Sequence, residues 1–395
     1  MHAVDGIRLS ATSAGIKVSG RRDLVLIEIC EQASTAAVFT RNAFCAAPVI
    51  LSRRHLMQQA PRYLLINSGN ANAGTGEQGV RDAYTCCEAM AVSTGCAVEE
   101  VLPFSTGVIG EPLPVNVIQK GLKNAIDRLS PDGWSDAAYG IMTTDTVPKG
   151  VSRQIKIHDE TVTITGISKG SGMICPNMAT MLAYITTNAR IEQSVLQRCL
   201  EHAVAASFNS ITVDGDTSTN DACVLIATGK TLLPYLQEGS DAFAQLRDAI
   251  TDVCIELAQA IVRDGEGATK FITVDVLQGA HDEESRQVAY AIAHSPLVKT
   301  AFFASDPNWG RILAAVGRAG VSNLDVSKIS IYLDEACIVW EGQRCKEYQE
   351  QQGVKVMKRD QITIRVMLGR GTHNARVWTC DFSYDYVRIN AEYRS

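Results

Sequence analysis

Apolar and polar residues alternate along residues 154–157, residues 161–167 and Gln361–Met367, the period-two pattern of half-buried strands, while Leu24–Ile29 is more continuously apolar. Other stretches have helical spacing. Across residues 191–206 the apolar positions Ile191, Val195, Leu196, Cys199 and Ala203 fall on one face. Residues 243–262 form a longer amphipathic stretch with Phe243, Leu246, Ile250, Val253, Cys254, Leu257 and Ile261 on one side, and residues 80–93 a less regular third. Strand and helix patterns interleave throughout the chain, which predicts a mixed α/β protein of stacked layers. At 395 residues, two domains or one large layered domain are expected.

Five segments break these patterns with Gly, Asn, Ser, Thr and Asp: residues 67–76, 105–110, 169–172, 212–221 and 264–270. Each alone reads as a turn. Together they predict loops gathered around a polar site, because binding groups concentrate on loops held by a rigid scaffold.

Composition narrows the function classes. A formal net charge of -6 argues against a nucleic-acid or anionic-membrane surface, and no apolar run is long enough to suggest a membrane span. Residues 1–10 show no apolar signal core, so a cytoplasmic location is expected. The 12 cysteines are scattered, several within apolar runs, and none has the spacing of a zinc site; they read as small buried thiols in a reducing compartment. Asp214, Asp216 and Asp221 invite a cation reading, but Asp-Gly-Asp beside Thr and Asn also forms self-capping turns, and no metal is expected.

The most informative run is residues 169–187, Lys-Gly-Ser-Gly-Met-Ile-Cys-Pro-Asn-Met-Ala-Thr-Met-Leu-Ala-Tyr-Ile-Thr-Thr. Residues 181–185 read as a buried strand, with Thr180 at its start after a loop containing Pro176 and Asn177. This is the placement an N-terminal nucleophile needs. Threonine is a weak nucleophile without a base within reach. A freed α-amine, with an unperturbed pKa of about 7.7–8.0, would supply that base from the same residue. By pattern alone, a Thr opening a strand is better explained by β-propensity.

The run Cys175-Pro-Asn-Met-Ala-Thr-Met-Leu-Ala-Tyr-Ile-Thr-Thr187 closely resembles the self-cleavage segment of the ornithine acetyltransferases, the ArgJ family of arginine biosynthesis. Residues 37–42, 67–76, 105–110, 142–146, 212–221, 264–270 and 306–311 resemble further blocks of that family, in its order. The resemblance implies a DmpA/ArgJ-like layered αββα-type fold, reminiscent of N-terminal nucleophile hydrolases. It implies a cut between Ala179 and Thr180, giving an α chain of residues 1–179 and a β chain of residues 180–395 assembled as an α2β2 heterotetramer. It makes Thr180 the nucleophile and Thr106 and Gly107 the oxyanion-stabilising pair. Thr143, Lys169, Thr180, Glu266, Asn390 and Ser395 become substrate contacts. The family usually ends in Thr; Ser395 keeps the hydroxyl.

The implied reaction is transfer of acetyl from N2-acetylornithine to glutamate through an acetyl-Thr180 ester, in the manner of a glutamate N-acetyltransferase, with no metal or redox cofactor. Acetyl-CoA is expected as a second donor, which would make the enzyme an amino-acid N-acetyltransferase as well. Lys169 could bind a substrate α-carboxylate and Glu266 the ornithine ammonium, and the competing reading of both is a solvated surface charge. An aminopeptidase or amidase of the same fold, with water as acceptor, and a non-enzymatic scaffold are the alternative functions.

Overall fold

The computed structural model describes residues 1–17, 20–175 and 181–392. The chain forms two compact units. The first comprises Met1–Asn209 and Asp216–Ile261, the second Ser210–Gly215 and Val262–Ser395.

In chain order the first unit contains β1 (Ile7–Thr12), β2 (Leu24–Ile29), β3 (Ser34–Phe39), α1 (Ala47–Gln58), β4 (Tyr63–Asn70), α2 (Gly76–Thr94), β5 (Val101–Val108), α3 (Val115–Asp127), α4 (Trp134–Gly140), β6 (Lys149–Ile157), β7 (Glu160–Lys169), β8 (Leu182–Thr187), α5 (Gln193–Ala206), β9 (Ala222–Ala227) and most of α6 (Asp241–Arg263). Among the described residues its strands form a four-stranded sheet ordered β1-β2-β4-β5 and a five-stranded sheet ordered β3-β9-β8-β7-β6.

The two sheets pack face to face. Val25, Ile27, Leu64, Ile66, Leu102 and Phe104 of the first share one core with Ile167, Leu182, Tyr184, Val224 and Ile226 of the second. On the outer face of the first sheet, Leu24, Leu26 and Leu65 pack against Cys86, Met90, Ile118 and Leu122 of α2 and α3. This explains the continuous apolar run of β2: odd positions face the other sheet and even positions face helices, so neither face meets water. α6 covers the far side of the second sheet, with Val253 and Leu257 closing over Gly166 of β7, and α5 packs beside it on β3 and β9. The unit is therefore an αββα sandwich.

The second unit contains β10 (Phe271–Gly279), α7 (Asp282–Ala293), α8 (Pro296–Phe303), α9 (Trp309–Gly317), β11 (Ser330–Leu333), β12 (Ala336–Trp340), β13 (Gln343–Arg344), α10 (Glu350–Met357), β14 (Gln361–Met367), β15 (His373–Cys380) and α11 (Tyr384–Ala391). Its described strands form one six-stranded sheet ordered β13-β12-β11-β14-β10-β15. The alternation read in β14 is real: Ile362, Ile364 and Val366 join the core beneath α7, α8 and α9.

The predicted regular elements are all present; Leu24–Ile29 and Gln361–Met367 keep their predicted bounds and the others have shifted ends. The helix expected at 191–206 begins at Gln193, and the one expected at 80–93 spans Gly76–Thr94. The strand expected at 181–185 runs from Leu182 to Thr187. Three expected loops need correction. Residues 67–70 and 105–108 are the last residues of β4 and β5, and Lys169 ends β7 rather than lying in the glycine-rich loop after it. Their polar composition masked them as strands, because here polar residues are buried and paired by hydrogen bonds rather than solvated.

Leu225 is fully buried in β9 between β3 and β8. Leu225→Ala should destabilise the protein by about 2–5 kcal/mol through the cavity it leaves, seen as a lower thermal unfolding midpoint. An unchanged midpoint would show that this sheet does not carry the core.

Candidate active site

The parallel strands β4 and β5 end side by side, with Ser68 opposite Thr106 and Gly69 opposite Gly107. Gly107 has φ 138°, and a Cβ added there would lie 2.3 Å from the Gly69 carbonyl carbon and 2.5 Å from the Asn70 nitrogen. Only glycine permits this approach, so the close packing of two backbones explains the Thr-Gly pair. A polar lattice holds the strand ends in register. Ser105 Oγ donates to Asn67 Oδ1 at 2.6 Å, and Asn67 Nδ2 donates to the Asn70 carbonyl at 2.9 Å. Asn220 Nδ2, from the loop before β9, donates to the carbonyls of Ala71 (2.6 Å) and Ser105 (2.9 Å).

Lys169 enters from the other sheet at the end of β7, with only 4% of its surface exposed. Its Nζ donates to Thr106 Oγ1 at 3.2 Å. An ammonium has no acceptor capacity, so the Thr106 oxygen must accept and its O–H is left to donate elsewhere. The lysine thereby makes the threonine hydroxyl available as a donor.

The charge of Lys169 is balanced by Asp145. Asp145 Oδ1 accepts from Lys149 Nζ (2.6 Å) and the Gly170 nitrogen (2.7 Å), and Oδ2 accepts from the Thr143 nitrogen (3.0 Å). Burial alone would raise the Asp145 pKa, but the charges of Lys169 and Lys149 and these hydrogen bonds outweigh it and hold the carboxyl at about 2. Thr143 is tied in from the other side, its carbonyl accepting from Arg21 Nη2 at 3.0 Å. Thr106, Gly107, Thr143 and Lys169 thus belong to one connected network in the first unit.

Just before β8 and β9, Met181 N donates to Asp221 Oδ1 at 2.9 Å. Asp221 is 1% exposed, and burial pushes its carboxyl well above the usual range despite the Met181 bond and the nearby Lys169 charge. The acid read from sequence as part of an Asp-rich turn is thus fixed at the entrance of β8. Cys175 is buried.

In the second unit, Glu266 is 7% exposed, and its Oε2 accepts from Asn390 Nδ2 of α11 at 2.8 Å. Gly267 (φ 69°) lets α11 dock closely: a Cβ there would meet the Tyr386 nitrogen at 2.4 Å, while Ser383 Oγ donates to its carbonyl at 2.6 Å. Asp381 fastens the same loop, accepting from the nitrogens of Thr269 and Lys270, each at 2.8 Å. The surface-charge reading fails for both Lys169 and Glu266, since each is buried. Asn308 is a helix cap, its side chain accepting from the Arg311 nitrogen at the start of α9. Ala179, Thr180 and Ser395 lie outside the described residues.

Sequence reasoning passed over Lys149, Asn67, Asn220 and the counter-ion role of Asp145. Lys149 and Asp145 are four residues apart across Pro148, a spacing that carries no helical meaning there and so gave no signal.

Two sheets sandwiched between helices, with a buried cationic donor cluster at the strand ends, define a layered αββα enzyme suited to stabilising an oxyanion. The chain belongs to the ArgJ family, whose sequence profile matches residues 8–395. It is 58% identical, over 100% of its length and 98% of the relative's, to the arginine biosynthesis bifunctional protein ArgJ of Pseudomonas syringae pv. tomato. It is 59% identical to that of Methylococcus capsulatus, over 99% of this chain and 96% of the relative. The crystal structure of the arginine biosynthesis bifunctional protein ArgJ of Bacillus halodurans is similar with a TM-score of 0.51 and 38% identity, covering 53% of this chain and 98% of that one.

Asp145→Asn should remove the carboxylate that accepts from Lys149 and offsets the Lys169 charge, and destabilise the fold by about 3–5 kcal/mol. The sign with pH follows from the depressed pKa. The folded value of about 2 lies below the ordinary 3.8, so the aspartate's stabilisation is complete above pH 3.8 and is lost as pH falls through about 2. In acid titrations followed by circular dichroism, the gap between wild type and variant should close over that window. A gap that persists at the acid end would refute the assignment.

Proposed function

We propose that this protein is a self-cleaving acetyltransferase of arginine biosynthesis that moves acetyl from N2-acetylornithine to glutamate and also acetylates glutamate from acetyl-CoA. The observation that carries the reading is the Lys169–Thr106 bond, which orients a hydroxyl donor beside a glycine that no other residue could replace.

In the proposed mechanism, Thr180 Oγ first attacks the Ala179 carbonyl and the resulting ester is hydrolysed, leaving residues 1–179 and 180–395. The cut falls between β7 and β8, which pair antiparallel from Ile164–Thr187 to Lys169–Leu182, so sheet hydrogen bonds would keep the pieces together. The matched Bacillus halodurans chain is little more than half as long as this one, the relation expected where a precursor is cut near its middle. The compact units divide the chain elsewhere, so the cut would pass through the first unit.

The freed α-amine of Thr180 then takes the proton of its own hydroxyl as Oγ attacks the acetyl carbonyl of N2-acetylornithine. Thr106 and Gly107 stabilise the oxyanion, with the buried Lys169 charge behind them. Ornithine leaves, and the glutamate amine takes the acetyl group from the Thr180 ester. Thr143, Lys169, Glu266, Asn390 and Ser395 are assigned as substrate contacts, and Glu266 suits a substrate ammonium. Hydroxyl, amine and oxyanion donors complete the chemistry without a metal or redox cofactor. The assembly is proposed as an α2β2 heterotetramer in the cytoplasm. No helix among the described residues is long and apolar enough to cross a membrane.

Denaturing intact mass of the purified protein should give two chains, one ending at Ala179 and one beginning at Thr180. Thr180→Ala should remain one chain without transfer activity. Cleavage at the same bond in that variant would remove Thr180 as the nucleophile. Gly107→Ala should reduce acetyl transfer by about 10²–10³-fold by displacing the oxyanion donors, measured as ornithine release in the presence of glutamate. Steady acetyl release without glutamate at the same rate would favour the amidase reading instead.

A further inference from the structure

Self-cleavage poses a chemical problem that acetyl transfer does not. In the mature enzyme the Thr180 α-amine has a lone pair and acts as base. In the precursor that nitrogen is a peptide amide, with its lone pair delocalised, and cannot take the hydroxyl proton. The leaving nitrogen must also gain a proton when the Ala179–Thr180 bond breaks. Another group has to manage both transfers.

Asp221 has the attributes of that group. Met181, the residue directly after Thr180, donates its backbone N–H to Asp221 Oδ1 at 2.9 Å, and β8 and β9 run parallel with Leu182 beside Ala222. The carboxyl is thereby pinned next to the start of the strand. Its Oδ2 is buried and has no hydrogen-bond partner among the described residues. An unpaired buried carboxylate oxygen is costly unless it serves a purpose. The hydroxyls of Thr40 and Ser218 approach the carboxyl, Lys169 faces it from β7, and Cys45 feels its charge from the segment before α1. Burial favours the protonated form, and the Lys169 charge opposes burial. A buried carboxyl with one oxygen pinned by the Met181 nitrogen and the other left unpaired is placed to accept and return a proton, as general acid–base work requires.

We propose that Asp221 carries the proton in self-cleavage, a role that rests on Thr180 being the nucleophile. As the bond from Thr180 Oγ to the Ala179 carbonyl carbon forms, the Asp221 carboxylate accepts the hydroxyl proton. As the carbon–nitrogen bond breaks, the resulting carboxylic acid returns that proton to the Thr180 nitrogen. The product is an ester with a free amine, and the carboxylate is regenerated. Water then adds to the ester, releasing the Ala179 carboxylate and the Thr180 hydroxyl. Once the amine is free it serves as base itself, so Asp221 is needed for maturation.

The test is the rate of chain cleavage after cell-free translation of the full chain at controlled pH, followed on denaturing gels. Asp221→Asn should slow cleavage by at least about a hundredfold while unfolding thermally at the same temperature as the uncleaved Thr180→Ala chain, and Asp221→Glu should recover part of the rate. The carboxylate is the active form, so the wild-type rate should rise with pH through a midpoint. Removing the nearby positive charge with Lys169→Met should move that midpoint to higher pH. The midpoint shift decides the question by itself if Asp221→Asn fails to fold. A folded Asp221→Asn chain that matures at the wild-type rate, or a midpoint indifferent to Lys169→Met, overturns the proposal. A wild-type chain that never cuts at Ala179–Thr180 would instead overturn the nucleophile reading, which separates the two failures.

Discussion

A buried ammonium, Lys169, organises the first unit's site. It cannot sit in a sandwich core without a counter-charge, and Asp145 supplies one only because Lys149, the Gly170 nitrogen and the Thr143 nitrogen complete its coordination. Once anchored, the ammonium fixes the Thr106 hydroxyl as a donor and biases the titration of Asp221. One charge therefore links the end of β5 at Thr106, the Thr143 segment and the entrance of β8. The second requirement is steric: β4 and β5 converge so closely at Gly69 and Gly107 that a side chain at Gly107 would force the strands apart.

The layered architecture was legible because its signals are local. Period-two alternation in β14 and the long apolar face of α6 predict those elements directly, and their interleaving predicts stacked layers. Where the reading failed, the cause was burial of polar residues. The ends of β4, β5 and β7 look like loops by composition, yet they are strands whose Asn, Ser, Thr and Lys side chains are satisfied by partners more than thirty residues away, such as Ser105 to Asn67 and Lys169 to Thr106. No window of sequence shows such a partner. Thr106 and Gly107 came from resemblance, and the structure adds the steric reason for the glycine and the lysine bond to the threonine. Asp221 was visible only as one acid in an Asp-rich turn, and its meaning depends on the register of β8 with β9.

The arrangement also accounts for how a chain can be cut in its interior and remain a protein. β7 and β8 flank the proposed bond and pair along six residues, inside a sheet buried on both faces. Breaking one peptide bond outside those pairs would leave their ladder intact. In the proposed mechanism it would turn the Thr180 amide into an amine. In the proposed mechanism the Lys169–Thr106 bond is in place before the nucleophile becomes competent.

The most direct test of this account is to incubate the enzyme with N2-acetylornithine in the absence of glutamate, quench in acid, and sequence its peptides by mass spectrometry. The account predicts a peptide beginning at Thr180 that carries one acetyl group as an ester on its hydroxyl, lost when glutamate is added before the quench. An unmodified Thr180, or an acetyl group found on another side chain and discharged by glutamate from there, would contradict it.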